Sequence, residues 1–261
     1  MNTQTCFKEF FGMKNSFTLL LGLLLATTLS AQQLPNMNFD NWHKTRGSWN
    51  LYAEKDEDNR VWDTANRGSS ILGINGTTPE YEHVAVAGEG KAAARIASKK
   101  ILGKLLAGNL FTGKFVRIVK MKGAELEFGT PFNGRPKSLS GFAHYQPGII
   151  HVVKAPYKNL KGTGDEAIIE VTLAAWDAPQ QVDTTEKTLD RDESDPDIVA
   201  TGHLILDKET DGYIPFEIPL AYRDDRTPNY IIILCTSSRF GNYFTGSSDS
   251  VLFVDEFQFN Y

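Results

Sequence analysis

Short runs of strict alternation, each closed by glycine or proline, constrain this chain more than any other feature. Glu166 to Trp176 reads EAIIEVTLAAW and puts Ile169, Val171, Leu173 and Ala175 on one face of an extended backbone. Tyr213 to Leu220 reads YIPFEIPL, with Ile214, Phe216, Ile218 and Leu220 on one face and Pro215 and Pro219 on the other. Proline has no N–H to offer a neighbouring strand, so this run is expected at a sheet edge. Tyr230–Leu234 is apolar on both faces, which predicts a central strand through Thr236. Val199–Leu206 and Ser250–Tyr261 add further strands, and Ala92–Ser98, Gly113–Val119 and Ile149–Val153 are weaker candidates. The 22 glycines and 11 prolines supply the turns between them. This spacing of strands and turns predicts an all-β sandwich or barrel.

Helical signal is scarce. Lys99–Leu106 (KKILGKLL) has some 3.6-residue periodicity, interrupted by Gly103. Strands do not alternate with helices, which argues against a parallel α/β fold. Residues 53–82 read as loop-rich. No internal repeat and no domain-separating linker is present, so residues 32–261 are expected to form one domain.

The amino end reads as a leader. Thr18–Leu29 (TLLLGLLLATTL) is apolar but short of the ~20 residues that span a bilayer. Lys8 and Lys14 precede it and Ser30-Ala31-Gln32 follows, the pattern of a secretory signal peptide cut after Ala31. Residues 1–31 are therefore expected to be removed and the protein exported, to the periplasm, the outer membrane or beyond, with no retained transmembrane segment. The leader takes Lys8, Lys14 and Glu9 with it, so the formal charge moves from −5 to −6. That mild acidity argues against nucleic acid, whose phosphates require a basic face. Cys235 is then the lone cysteine; without a partner for a disulfide it is expected to pack as a small hydrophobe.

Two regions bear on chemistry. In SVLFVDEFQFNY, Asp255 falls by alternation on the same face as Val251, Phe253, Phe257, Phe259 and Tyr261. A buried carboxylate needs a donor or a cation. Either a bulge turns it outward, or it is hydrogen-bonded, or it shares a structural calcium with Asp40 in the opening NFDNW. Val182–Asp197 holds seven acidic residues, with Asp190 and Asp192 alternating, but lacks the glycine of a calcium loop and reads as a solvated connection. The indoles Trp42, Trp49 and Trp62 fall close together. An exposed indole stacks on a sugar ring while neighbouring polar groups bind hydroxyls. Trp42, and Trp62 with Asp63, Asn66 and Arg67, are candidate ligand contacts, each with core packing as the alternative. No nucleophile elbow, phosphate loop or zinc-protease helix occurs, so binding of a sugar ranks above catalysis.

Several phrases together resemble one bacterial family. They are NFDNW (38–42), VWDTANRG (61–68), GKAAARIAS (90–98), AGNLFTGKF (107–115), GTPFNGRPKSLSGFAHYQPG (129–148) and the closing SSRFGNYFTGSSDSVLFVDEFQFNY (237–261). Their order and content are similar to the Bacteroidetes putative carbohydrate metabolism domain. The resemblance implies a jelly-roll sandwich of the galactose-binding type in an exported protein of carbohydrate use, without supplying a catalytic residue. Arg135, Tyr145 and Trp176 are further candidate contacts in that light. In the 129–148 phrase, Leu139, Gly141, Ala143 and Tyr145 share one face, opposite Phe142 and His144. The functional expectation is a non-catalytic glycan-binding module. Glycoside hydrolase and cell-surface structural or adhesive protein, which would have other surface proteins as partners, are the alternatives.

Overall fold

The alternation seen in the sequence is realised as two packed antiparallel sheets. The computed structural model describes residues 31–261 apart from 90, 102, 120–122 and 185–194, and Ala31–Tyr261 forms one compact unit. The expected leader and the Asp190–Asp192 alternation lie outside the described residues. Among the described residues no helix is long and apolar enough to cross a membrane.

The larger sheet runs in the order Gln180–Asp183, Gly123–Phe128, Asn109–Val119, Tyr230–Thr236, Ala167–Ala174, Ile198–Leu206, Ala221–Tyr222, with two short strands, Thr130–Pro131 and Trp62–Asp63, added at its middle. The smaller sheet runs Ile214–Pro219, Ser138–Gln146, Val251–Asn260, Ala93–Ala97, Thr77–Glu80. The fold is an all-β sandwich of jelly-roll type. The Tyr230–Thr236 strand is central, as its two apolar faces require. Ile231, Ile233 and Cys235 point into the main core, while Ile232 joins a second apolar cluster with Phe111, Phe128 and Trp176. Ile214–Pro219 is an edge strand, and its prolines cost no sheet hydrogen bonds there.

The main core fills the gap between sheets. Ile169, Val171 and Leu173 from one side meet Leu139, Ala143, Tyr145, Phe216 and Ile218 from the other. Each fully buried aliphatic or phenyl side chain contributes about 1.5–3 kcal/mol. Cys235 is fully buried in this core, and its apolar surroundings push the thiol well above its ordinary range.

Two local readings are corrected. Lys99–Leu106 is a hairpin of Lys99–Ile101 on Lys104–Leu106, because Gly103 (φ +79°) makes a turn that breaks any helical run. Ile149–Val153 makes only isolated bridges, Ile149 to Gly164 and Val152 to Gly246.

The last strand holds the feature that shapes the site. Ser140 pairs with Gln258 and Phe142 with Asp255, so two residues of Val251–Asn260 face the single Gly141. The extra residue, Glu256, sits at φ +49°. This bulge reverses the facing of everything before it. Leu252, Val254, Phe257 and Phe259 enter the core, whereas Phe253 and Asp255 turn to the outer side. The single-face reading of Val251 through Tyr261 fails for that reason, and the bulged alternative holds. Gly141 is required opposite: a Cβ there would lie 2.6 Å from Phe257 Cδ1.

Candidate functional site

The bulge loads the outer face of the smaller sheet with ring side chains. His144 pairs across the ladder with Phe253, and Phe253 with Arg95. The His144 and Phe253 rings stack at 5.3 Å, and the Arg95 guanidinium lies 5.9 Å from the Phe253 centroid. Residues 81–86 cross this face as a strap with three ties. His83 Nε2 lies 2.7 Å from His144 Nδ1, the Ala85 N–H donates to Asp255 Oδ2 at 2.8 Å, and Tyr213 Oη donates to the His83 carbonyl at 2.8 Å. The His83 ring also stacks on Tyr213, 4.9 Å between centroids.

The strap buries titratable groups. Burial, with the charge of His83, pushes His144 below the usual imidazole range, against the pull of Glu209. Burial pushes the Asp255 carboxyl up to about 6, and the neighbouring Glu256 charge adds to this, while the N–H groups of Ala85 and Glu256 work the other way. Tyr213 is raised by burial, then by Asp255 and Glu80.

Beside the strap a shallow groove of ≈720 Å³ opens between the opening segment and the bulged strand. Phe142 forms an apolar wall, with Val86 from the strap. Four amides line it, of which three are engaged within the chain: Gln33 with both backbone groups of Phe259, Asn36 with the Asn41 N–H and the Asn41 and Leu51 carbonyls, and Asn38 with Asp40, while Gln258 is exposed at the rim. Lys91 and Glu256 supply charge: Lys91 Nζ donates to Glu256 Oε1 at 2.9 Å and to Asp40 Oδ2 at 3.0 Å. Those hydrogen bonds, Glu256 first, raise the Lys91 ammonium above its ordinary range. Chemically, an aromatic wall beside a carboxylate and a rim amide is suited to a polyhydroxylated ligand: the ring takes the apolar face, and Glu256 and Gln258 take hydroxyls. A smaller pocket of ≈310 Å³ lies by the larger sheet, lined in part by Asp58, Arg60, Lys114, Glu127 and Tyr230.

The calcium alternative does not fit Asp40 and Asp255, whose oxygens are taken up by donors of the chain. Asp40 Oδ1 accepts the Ala92 N–H at 2.9 Å, and its Oδ2 accepts from Asn38 Nδ2 at 2.5 Å as well as from Lys91. Asp255 accepts from the Ala85 and Glu256 N–H groups. Among the described residues no group of three His, Cys, Asp or Glu side chains can hold a metal ion. The cation that ties the opening segment to the last strand is the Lys91 ammonium.

None of the eight sequence-predicted ligand contacts lines the groove. Trp62 is 1% exposed, set edge-on to Phe39 and donating Nε1–H to the Pro35 carbonyl at 2.8 Å, so no ring face is offered to a sugar. Asp63, buried beside it, accepts from Arg60 Nε at 3.1 Å and from the Phe115 N–H at 2.9 Å. Buried Asn66 bridges the Trp49 carbonyl and both backbone groups of Thr77. Arg67 pairs with Glu57 at 3.2 Å. Half-buried Trp42 donates to the Phe39 carbonyl at 2.6 Å. Arg135 lies 4.2 Å over the Tyr222 ring and donates to the carbonyls of Asp224 and Arg226. Tyr145 is fully buried, with Oη donating to the Ser237 carbonyl at 3.1 Å. Trp176 is buried and donates to Asp195 Oδ2 at 3.1 Å. Apart from the buried Nη1 of Arg67, which has no hydrogen-bond partner, the polar atoms named here are used inside the chain. Phe142 and His144 were visible in the sequence as the face opposite Tyr145, and an outward phenyl on a core strand was the signal to follow. Lys91 and Glu256 carried none.

The fold has solved counterparts. A structure described as a putative glycoside hydrolase from Bacteroides thetaiotaomicron superposes with a TM-score of 0.64 at 21% identity, over 86% of this chain and 70% of that one. Another of the same description, from Bacteroides vulgatus, gives 0.63 at 19% identity, over 85% of this chain and 96% of that one. At such identities the likeness is one of fold. No curated protein matches the sequence. The family model described as the putative carbohydrate metabolism domain matches residues 38–260, so the chain belongs to that carbohydrate-related family.

Proposed function

We propose that this protein is an exported, non-catalytic glycan-binding module whose ligand lies in the groove beside Phe142. The observation that supports this reading is the pairing of an aromatic wall, Phe142, with the polar side chains of Glu256 and Gln258 in an open cleft of ≈720 Å³. Export rests on the basic flank and short apolar run at the amino end. The test is a glycan array followed by calorimetry on the purified protein, with and without a calcium chelator. Saturable binding is expected, unchanged by chelator, without release of reducing ends. Phe142→Ala weakens it by roughly tenfold or more at an unchanged melting temperature. No binding across a broad array, or binding indifferent to Phe142→Ala, sinks the proposal.

A second reading, glycoside hydrolysis, draws on Asp58 and Glu127 in the smaller pocket, since two carboxyl groups are the usual requirement of that chemistry. Reducing-end release that disappears in both Asp58→Asn and Glu127→Gln would replace the binding reading with this one.

A further inference from the structure

The groove's charges carry a statement about which glycans it accepts, and this deepens the glycan-binding reading on which it rests. Among the described residues lining the groove, Lys91 and Glu256 alone bear formal charge. Lys91 is not free. Its ammonium is held between Glu256 Oε1 at 2.9 Å and Asp40 Oδ2 at 3.0 Å. Asp40 is itself fixed by the Ala92 N–H and by Asn38 Nδ2, and Glu256 stands at the bulge, its backbone at φ +49°. The trio therefore carries one net negative charge, with its single cation shielded on two sides by carboxylates. An incoming uronate or sulfate is repelled by Glu256 and must displace two ion-pair partners to reach Lys91. A neutral sugar meets no such barrier. Its hydroxyls donate to Glu256 and exchange hydrogen bonds with the rim amide of Gln258, while its apolar face lies on Phe142.

We propose that the groove selects uncharged glycans and rejects acidic ones, and that the Asp40–Lys91–Glu256 lock sets this choice. Discrimination of this kind comes from the repulsive element rather than from a better attractive contact. The lock also predicts how selectivity is relaxed. Glu256→Gln keeps the side chain's length and removes one negative charge, leaving Lys91 with one carboxylate and an exposed flank. Adding Asp40→Asn keeps an oxygen for the Ala92 N–H and frees the ammonium further.

The experiment is calorimetry of the full protein against neutral hexose and pentose oligosaccharides and against uronate-containing and sulfated oligosaccharides of matched length, at low and moderate salt. Neutral ligands are expected to bind at least about tenfold more tightly than their acidic counterparts. Glu256→Gln should narrow that gap, and Asp40→Asn with Glu256→Gln should close or reverse it, with acidic-ligand binding becoming salt-sensitive. Near-ultraviolet circular dichroism checks the fold of each variant, and Glu256→Gln alone suffices if the double variant unfolds. Acidic ligands binding the native protein as tightly as neutral ones overturn the inference and leave the glycan reading standing. An unchanged gap in folded Glu256→Gln overturns the role given to the lock. No binding by either class overturns the glycan reading and the selectivity with it.

Discussion

His83 Nε2 and His144 Nδ1 lie 2.7 Å apart, one ring donating its N–H and the other accepting it. The bond joins the 81–86 strap to the middle of the smaller sheet, on the outer face created by the bulge at Glu256. It requires at least one neutral imidazole, so it is a contact that acid removes. Glu80 and Glu209 lie near the cluster as counter-charges, with Arg95 over Phe253 and Asp255 under the strap.

The His144 shift sets the sign of one pH effect. Its pKa is lowered in the fold, so the native state binds fewer protons than the unfolded chain near the ordinary imidazole pKa of about 6.5. The associated stability is present above that pH and is lost as pH falls below it. The protection factor of the 81–86 strap amides, corrected for the slower intrinsic exchange in acid, should fall on going from neutral to mildly acidic pH, before global unfolding. His144→Gln should flatten this response. A protection factor of the strap that stays constant through the window in the native protein contradicts the assignment.

Asp255 has the opposite sign. Its carboxyl is raised to about 6 from an ordinary value of 3.8, so the native state holds a proton that the unfolded chain has released. Stability therefore falls as pH rises from about 4 through about 6. Two pKa units correspond to about 3 kcal/mol in full, and to nearer 2 kcal/mol after screening by solvent at the strap's margin. Denaturant melts of Asp255→Asn should lack this decline, and the variant should be at least as stable as the native protein at pH 7. A parallel decline in both proteins would place the proton elsewhere.

Asp165 anchors a different region. Its Oδ2 accepts from Ser238 Oγ at 2.6 Å, the Ser247 N–H at 2.7 Å and Ser250 Oγ at 2.8 Å, and its Oδ1 accepts the Glu166 N–H at 2.9 Å. The carboxylate is fully buried, and so are all three serines. Asp165→Ala strands these donors and should destabilise the fold by about 3–5 kcal/mol in a urea melt. Glycan affinity of the protein that remains folded should not change, because the groove lies on other strands. A cost under ~1 kcal/mol would mean that water replaces the carboxylate.

The sheets were legible because alternation reports burial directly. Leu139, Ala143 and Tyr145 follow period two on a strand that carries no extra residue of its own and pairs without a break with Ile214–Pro219, and Phe216 and Ile218 do the same at the edge. The last strand misled because one extra residue at Glu256 shifts parity, and nothing in VDEFQF marks a left-handed glutamate. The site was less legible for a related reason. Indoles and guanidinium groups attract attention by type, yet Trp62, Trp176 and Arg135 satisfy their donors on nearby carbonyls or a carboxylate. The groove is instead built by residues distant in sequence, such as Asn38, Lys91, Phe142 and Glu256, which only the closed sandwich brings together.

Gly141 links the fold to the groove and gives a final prediction. It faces the core opposite the bulge, where Phe257 and Phe216 close over the strand. An alanine Cβ would lie 2.6 Å from Phe257 Cδ1, 3.1 Å from the Asp255 carbonyl oxygen and 3.2 Å from Phe216 Cζ. Two rings and a backbone atom cannot all retreat, so Gly141→Ala should cost about 1–3 kcal/mol as overpacking. Phe257 and Glu256 both line the groove, so the displacement reaches the site as well. Melting temperature and glycan affinity should fall together in Gly141→Ala. In Gly162→Ala, where φ is +88° but no atom lies within 4 Å of the new methyl, only the melting temperature should fall. Equal affinities in the two variants would show that the bulge and the groove are uncoupled. Loss of affinity confined to Gly141→Ala would show that the bulge sets the shape of the binding surface.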